Sequence, residues 1–338
     1  MDGSSPGQDI GSGPAHSPSL RWLAVALAGA VFAVLAAGGM VGAGRYVTNF
    51  WLYRGFAPPS APHSVLVEGP GGPRRVPVVR PAVQSITVVS RAVGEYADPV
   101  YVVLPPGYAA HPRQRYPVLY LLHGFPGQPW GFLNIGRIAA IEAVLVAARQ
   151  LKPMILVMPT GTRSFLTDQE WANGVRPGNA WETFVAHDLV TAIDSRYRTI
   201  ASPAARGLAG LSEGGYGALN IGLHHPGEFS LLESWSGYMR AGQIAAIFGR
   251  SPRALAYNSP AVSVTSVAAQ LRAGHTYIWF YIGSEDSLAA QNRAFATELT
   301  TLGVAHHFFE RPGAHSWRLW RSQMAQALLT ASGHLGHA

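Results

Sequence analysis

The chain has 338 residues, 48% of them apolar and 13% charged, a balance that excludes disorder over most of its length. Cysteine is absent, which excludes disulfides, a thiol nucleophile and a lipoprotein anchor. Lysine occurs once, at Lys152, so arginine supplies nearly all of a net charge of +7; that charge suits an anionic surface, and without basic runs interleaved with aromatics it does not suggest nucleic acid.

Residues 1–20 are rich in Gly, Ser and Pro and read as a disordered tail. Residues 21–44 follow as a membrane segment. Trp22 to Gly44 carries no charge and is flanked by Arg21 and Arg45. As a helix it would be about 35 Å long, enough to cross a hydrocarbon core of roughly 30 Å. A cleaved signal peptide, cut near Val41 to Ala43, is the alternative, but the apolar run is long for one. The arginine count, Arg21 against Arg45 and Arg54, does not favour an outside catalytic domain. The Pro-rich stretch 57–62 reads as a spacer off a membrane surface. The expectation is a single-pass protein of the cell membrane with its main domain extracytoplasmic, or a secreted one if the segment is cleaved. Residues 45–80 form a Pro/Gly-rich linker.

From 81 to 335 short apolar runs alternate with helical patterns, the signature of one α/β domain with a mostly parallel central sheet and helices on both faces. Val83 to Ser90 and Val100 to Leu104 predict an opening antiparallel pair. Val118 to Leu122, Met154 to Met158, Gly207 to Leu211 and Tyr277 to Ile282 are continuous apolar runs, as in strands buried on both faces. Val185, Leu189, Ile193 and Tyr197 recur every fourth residue and predict a helix. The last helix carries Trp317, Trp320, Met324 and Leu328 on one stripe and ends at Gly333.

The strongest chemical signal is Gly210-Leu211-Ser212-Glu213-Gly214, a G-x-S-x-G run between a predicted strand and a predicted helix. That is the setting of a nucleophile elbow, and it points to the α/β-hydrolase fold with Ser212 as nucleophile. A serine at neutral pH needs a base, and the base needs an orienting acid, which this fold supplies in the chain order Ser, acid, His. Asp286 is followed by five histidines. His315 stands in a loop just past the strand Ala305 to Glu310, where the base belongs; His306 and His307 lie within that strand and read as structural. Gly283-Ser284-Glu285-Asp286 leaves the Tyr277 to Ile282 strand and offers two carboxylates. Asp286 is preferred because it stands where the next helix is capped, with Glu285 as the alternative. The oxyanion hole needs two backbone N–H groups. Glu213 offers one, and the loop His123-Gly124-Phe125-Pro126-Gly127 offers the other at Phe125, with His123 orienting that loop.

At these residues the chain resembles the esterase D-like family of α/β-hydrolases, which includes feruloyl esterases, S-formylglutathione hydrolases and mycolyltransferases. The resemblance covers roughly residues 83 to 332. It rests on residues 117–124, Trp181-Glu182-Thr183-Phe184, the Ser212 elbow, Glu233-Ser234-Trp235-Ser236-Gly237 and His315-Ser316-Trp317. It implies a serine nucleophile at Ser212, a base at His315, an acid after the seventh strand, and no metal or organic cofactor. Many family members are exported, which supports the extracytoplasmic expectation. Two departures stand out. Glu213 occupies a position that is commonly Met, and mycolyltransferases place the acid inside the next helix, which makes Glu298 a third candidate. The expected activity is hydrolysis of a small-molecule or lipid carboxylic ester through an acyl-serine. The alternative is acyl transfer to a sugar or other alcohol.

Overall fold

Val118 to Leu122 is fully buried, and its side chains divide by twos. Val118, Tyr120 and Leu122 join one apolar cluster, while Leu119 and Leu121 join another. This period-two division within a continuous apolar run marks a strand with a core on each side. The computed structural model describes residues 62–69, 72–161 and 169–336. Among them the strands are β1 (Ser64–Val67), β2 (Arg74–Pro77), β3 (Ala82–Ser90), β4 (Glu95–Leu104), β5 (Val118–Leu122), β6 (Ile155–Met158), β7 (Arg206–Leu211), β8 (Leu231–Trp235), β9 (Tyr277–Gly283) and β10 (His306–Arg311). The α-helices are α1 (Trp130–Asn134), α2 (Ile138–Ala147), α3 (Trp181–Thr183), α4 (Val190–Arg196), α5 (Glu213–His224), α6 (Ala245–Phe248), α7 (Pro252–Tyr257), α8 (Pro260–Ala273), α9 (Ala289–Thr301) and α10 (Trp317–His334).

The main sheet runs β10-β9-β8-β7-β5-β6-β4-β3. Strands from β6 to β10 pair in parallel, and β4 and β3 add an antiparallel edge. On one face Tyr120, Leu208, Leu232 and Phe280 meet Phe184, Ile193, Leu219, Leu271 and Phe295 from α3 to α5, α8 and α9. On the other, Leu119, Ala209, Trp235 and Tyr281 meet Phe132, Ile138, Leu145, Trp320, Met324 and Leu328 from α1, α2 and α10. The α/β-hydrolase architecture expected from the sequence is the one adopted.

The structure also departs from those expectations. Within the stretch expected as a linker, β1 and β2 pair antiparallel, with Val65 opposite Val76. The helix expected around Val185 and Leu189 is π-helical over Phe184–Leu189, linking α3 to α4. β8 went unpredicted because Glu233 and Ser234 interrupt its apolar run, yet both are buried. Burial pushes the Glu233 carboxyl well above the usual carboxylate range, and its Oε2 accepts a bond from Trp235 Nε1 at 3.0 Å. A carboxyl held uncharged can occupy a core strand. The expected tail and membrane segment lie outside the described residues. Among the described residues no helix is long and apolar enough to cross a membrane.

Candidate active site

β5, β7, β9 and β10 all end at the same edge of the sheet, where this class of fold collects its functional loops. Ser212 follows β7 directly, with φ 56° and ψ −120°, a conformation costly for a residue with a Cβ. Close approach of the backbone explains the flanking glycines. A Cβ on Gly210 would stand 2.2 Å from Gly214 O, and one on Gly214 would stand 1.9 Å from Leu122 O. The turn is held by Ser212 N donating to Trp235 O at 2.8 Å, and α5 starts immediately after it.

The loops after β9 and β10 are zipped to each other. Ser284 N donates to Arg311 O at 2.8 Å and Glu285 N to Gly313 O at 3.0 Å. Through this pairing His315 reaches both partners. Its Nδ1 lies 2.6 Å from Asp286 Oδ2, and its Nε2 lies 2.7 Å from Ser212 Oγ. The network assigns the proton to Nδ1, donated to the carboxylate, and leaves Nε2 to accept from the serine hydroxyl. The Asp286 side chain is 1% exposed and that of His315 is 34% exposed, so the carboxylate is sealed while the imidazole is open to solvent.

Of the three candidate acids, Asp286 is the one beside His315. Glu285 is exposed. Glu298 turns toward α8, where its Oε1 accepts from Thr265 Oγ1 at 3.4 Å. One detail of the expectation is corrected. Asp286 does not cap α9, whose N-cap is Leu288 without a side-chain bond. Instead Asp286 Oδ1 accepts from Leu288 N at 3.0 Å, forming an Asx turn just before the helix. That bond orients the carboxylate and leaves Oδ2 for the imidazole.

The loop after β5 packs on Ser212. A Cβ on Gly124 would stand 2.9 Å from Ser212 Cβ, so only glycine lets this backbone approach. His123 organises the loop. Its Nε2 accepts from Gly161 N at 3.0 Å, which leaves Nδ1 to donate to Gly124 O at 3.1 Å. Burial lowers its pKa to about 4, so the ring stays neutral. Phe125, next in the loop, is 41% exposed at the mouth. Glu213 is buried. Burial, followed by the carboxylates of Glu170, Glu182 and Glu213, pushes the Tyr216 hydroxyl well above its ordinary range.

A protein-family model described as "Putative esterase" matches residues 95–331. The chain belongs to this esterase family. An esterase of Mycobacterium tuberculosis is 30% identical over 247 residues, covering 65% of this chain. The match covers 52% of that relative, so the chain spans about half the length of the curated relatives it matches first. An endo-1,4-beta-xylanase/feruloyl esterase of Xylanibacter ruminicola is 28% identical over 259 residues, covering 73% of this chain and 31% of that protein. Among solved structures, a ferulic acid esterase matches with TM-score 0.66 and 28% identity, covering 75% of this chain and 99% of that one.

Several large aromatics of this esterase domain are candidates to line the site. Trp171, Trp181, Tyr216, Trp235, Tyr238 and Trp317 are all buried and serve as packing, while Trp130 is half-buried. The sequence assigns no role of its own to Ser236, which has φ 58° despite carrying a side chain. Its position directly after β8, in the same run as the family-like Trp235, was the available signal. Among the described residues no group of His, Asp or Glu is arranged to hold a metal ion.

Proposed function

We propose that this chain is a serine carboxylic-ester hydrolase working through an acyl-Ser212 intermediate. The observation that carries the reading is the hydrogen-bonded line Asp286–His315–Ser212 ending on a strained serine. Ser212 Oγ attacks the ester carbonyl while His315 Nε2 takes its proton. The oxyanion that forms is met by the backbone N–H groups of Glu213 and Phe125, with the N-terminus of α5 adding a favourable dipole. His315 then returns the proton to the leaving alcohol. Water repeats the sequence on the acyl-enzyme and frees the acid.

The exposed Phe125 and the open base suit a small-molecule or lipid ester presented at the mouth. From the apolar run at residues 22–44 we read a single-pass anchor in the cell membrane with the catalytic domain extracytoplasmic. Protease added to intact cells should remove the domain if that reading holds, and sparing of the domain would overturn it.

Two measurements test the chemistry. A fluorophosphonate should label the protein, and Ser212→Ala should abolish the label. Aryl esters should then turn over in water with no added acceptor. Product forming only when a sugar or other alcohol is supplied would replace hydrolysis with acyl transfer from the same intermediate.

A further inference from the structure

The hydrogen bond between Ser212 and His315 cannot survive the first chemical step. Once Oγ carries the acyl group it has no proton to donate, and the imidazole loses one of its two anchors. With its side chain 34% exposed, His315 then depends on Asp286 and on what packs against its ring. That neighbour is Trp320, whose ring stands 5.0 Å from the imidazole at 88°.

Trp320 is itself pinned. Its Nε1 donates to Ser236 Oγ at 3.1 Å in a buried setting. Ser236 sits at the end of β8 between the two strands that carry the nucleophile and the acid. The preceding Trp235 O accepts from Ser212 N at 2.8 Å, and Ser236 N donates to Tyr281 O of β9 at 2.9 Å. Its φ of 58° is left-handed, a cost for serine that glycine would avoid. A strained serine at this junction, with its hydroxyl aimed at the indole behind the base, suggests a positioning device.

We propose that Ser236 and Trp320 are positioning residues for deacylation, holding the His315 ring in place while Ser212 is esterified. In that step a water oxygen bonds to the acyl carbon and its proton passes to His315 Nε2. The acyl–Oγ bond then breaks, and the proton moves from His315 to Ser212 Oγ. The inference rests on the acyl-enzyme reading above.

Two variants test it by different routes. Ser236→Gly removes the acceptor and relieves the backbone strain, so the turn keeps its conformation. Trp320→Phe keeps a ring against His315 and removes the N–H. Pre-steady-state hydrolysis of an aryl ester separates the steps. Burst amplitude counts active sites, burst rate reports acylation, and the following steady rate per site reports deacylation. Both variants should keep a full burst, change the burst rate by less than about 3-fold, and slow deacylation about 10-fold. That loss is a fraction of the roughly 10²–10⁴ a well-placed general base contributes. A purely structural role would lower the burst amplitude and leave deacylation per active site unchanged, and that result would overturn the proposal. Absence of any burst in the unaltered protein, with label persisting in Ser212→Ala, would instead remove the acyl-enzyme reading beneath it.

Discussion

Two adjacent carboxylates, Glu285 and Asp286, differ in which way the turn after β9 points them. Asp286 has one oxygen on Leu288 N and the other on His315, while Glu285 is exposed to solvent. Sequence alone narrowed the acid to a short loop and one rival inside α9, because a dipeptide of acids at a strand end does not encode which side chain turns inward. Asp286→Asn should reverse the hydrogen-bond polarity and hold His315 in the wrong tautomer, lowering kcat about 10⁴-fold. Glu285→Gln and Glu298→Gln should stay within about 2-fold, because neither carboxylate is the one bonded to His315. Steady-state kinetics on the three variants decides among them. A large loss in Glu298→Gln with little in Asp286→Asn would reassign the acid.

At the scale of elements, the β7–α5 elbow depends on a contact with β5. A Cβ on Gly214 would stand 1.9 Å from Leu122 O, so Gly214→Ala must push α5 away from the end of β5 beside Ser212. We expect a destabilisation of about 2–3 kcal/mol and an activity loss of at least about 10²-fold, read from thermal melts and ester turnover. Helix α2 carries a different strain. Glu142 is fully buried, its Oε1 accepts from Met154 N at 3.2 Å, its Oε2 is unpartnered, and burial raises its pKa from 4.5 to about 8. A folded pKa above the unfolded one means the protonated form is favoured in the native state. Its stability is fully present below pH 4.5 and is lost as pH rises through about 8. The loss is on the order of 5 kcal/mol across that window. Glu142→Gln should therefore melt higher than the unaltered protein at pH 8 and close to it at pH 5. Equal melting temperatures at pH 8 would contradict the burial argument. β5, β6, β7 and β9 were legible because unbroken apolar runs report burial on both faces. β8 and the Glu142 position were not, since charged letters conceal neutral, buried carboxyls.

Across the whole molecule, two cores on opposite faces of one sheet hold four strand ends in a single row, and Ser212, Asp286, His315 and the His123 loop hang from that row. The chain order Ser, Asp, His was legible because this sheet order brings the ends of β7, β9 and β10 to one edge. The segment between β8 and β9 was less so. There α6 and the turn before it pack Phe248, Ala245 and Ile244 against Tyr216 and Tyr238 in a third cluster, with no long apolar run to announce them. The pinning of Trp320 by Ser236 was also hidden, because a positive φ on serine leaves no mark in composition or periodicity. We propose that this architecture serves one covalent intermediate on one serine. Mass spectrometry of the protein quenched during turnover of a short aryl ester tests it most directly. A single acyl adduct should appear on the peptide carrying Ser212 and be absent in Ser212→Ala. An adduct on another residue, or turnover with no adduct at any quench time, would contradict it.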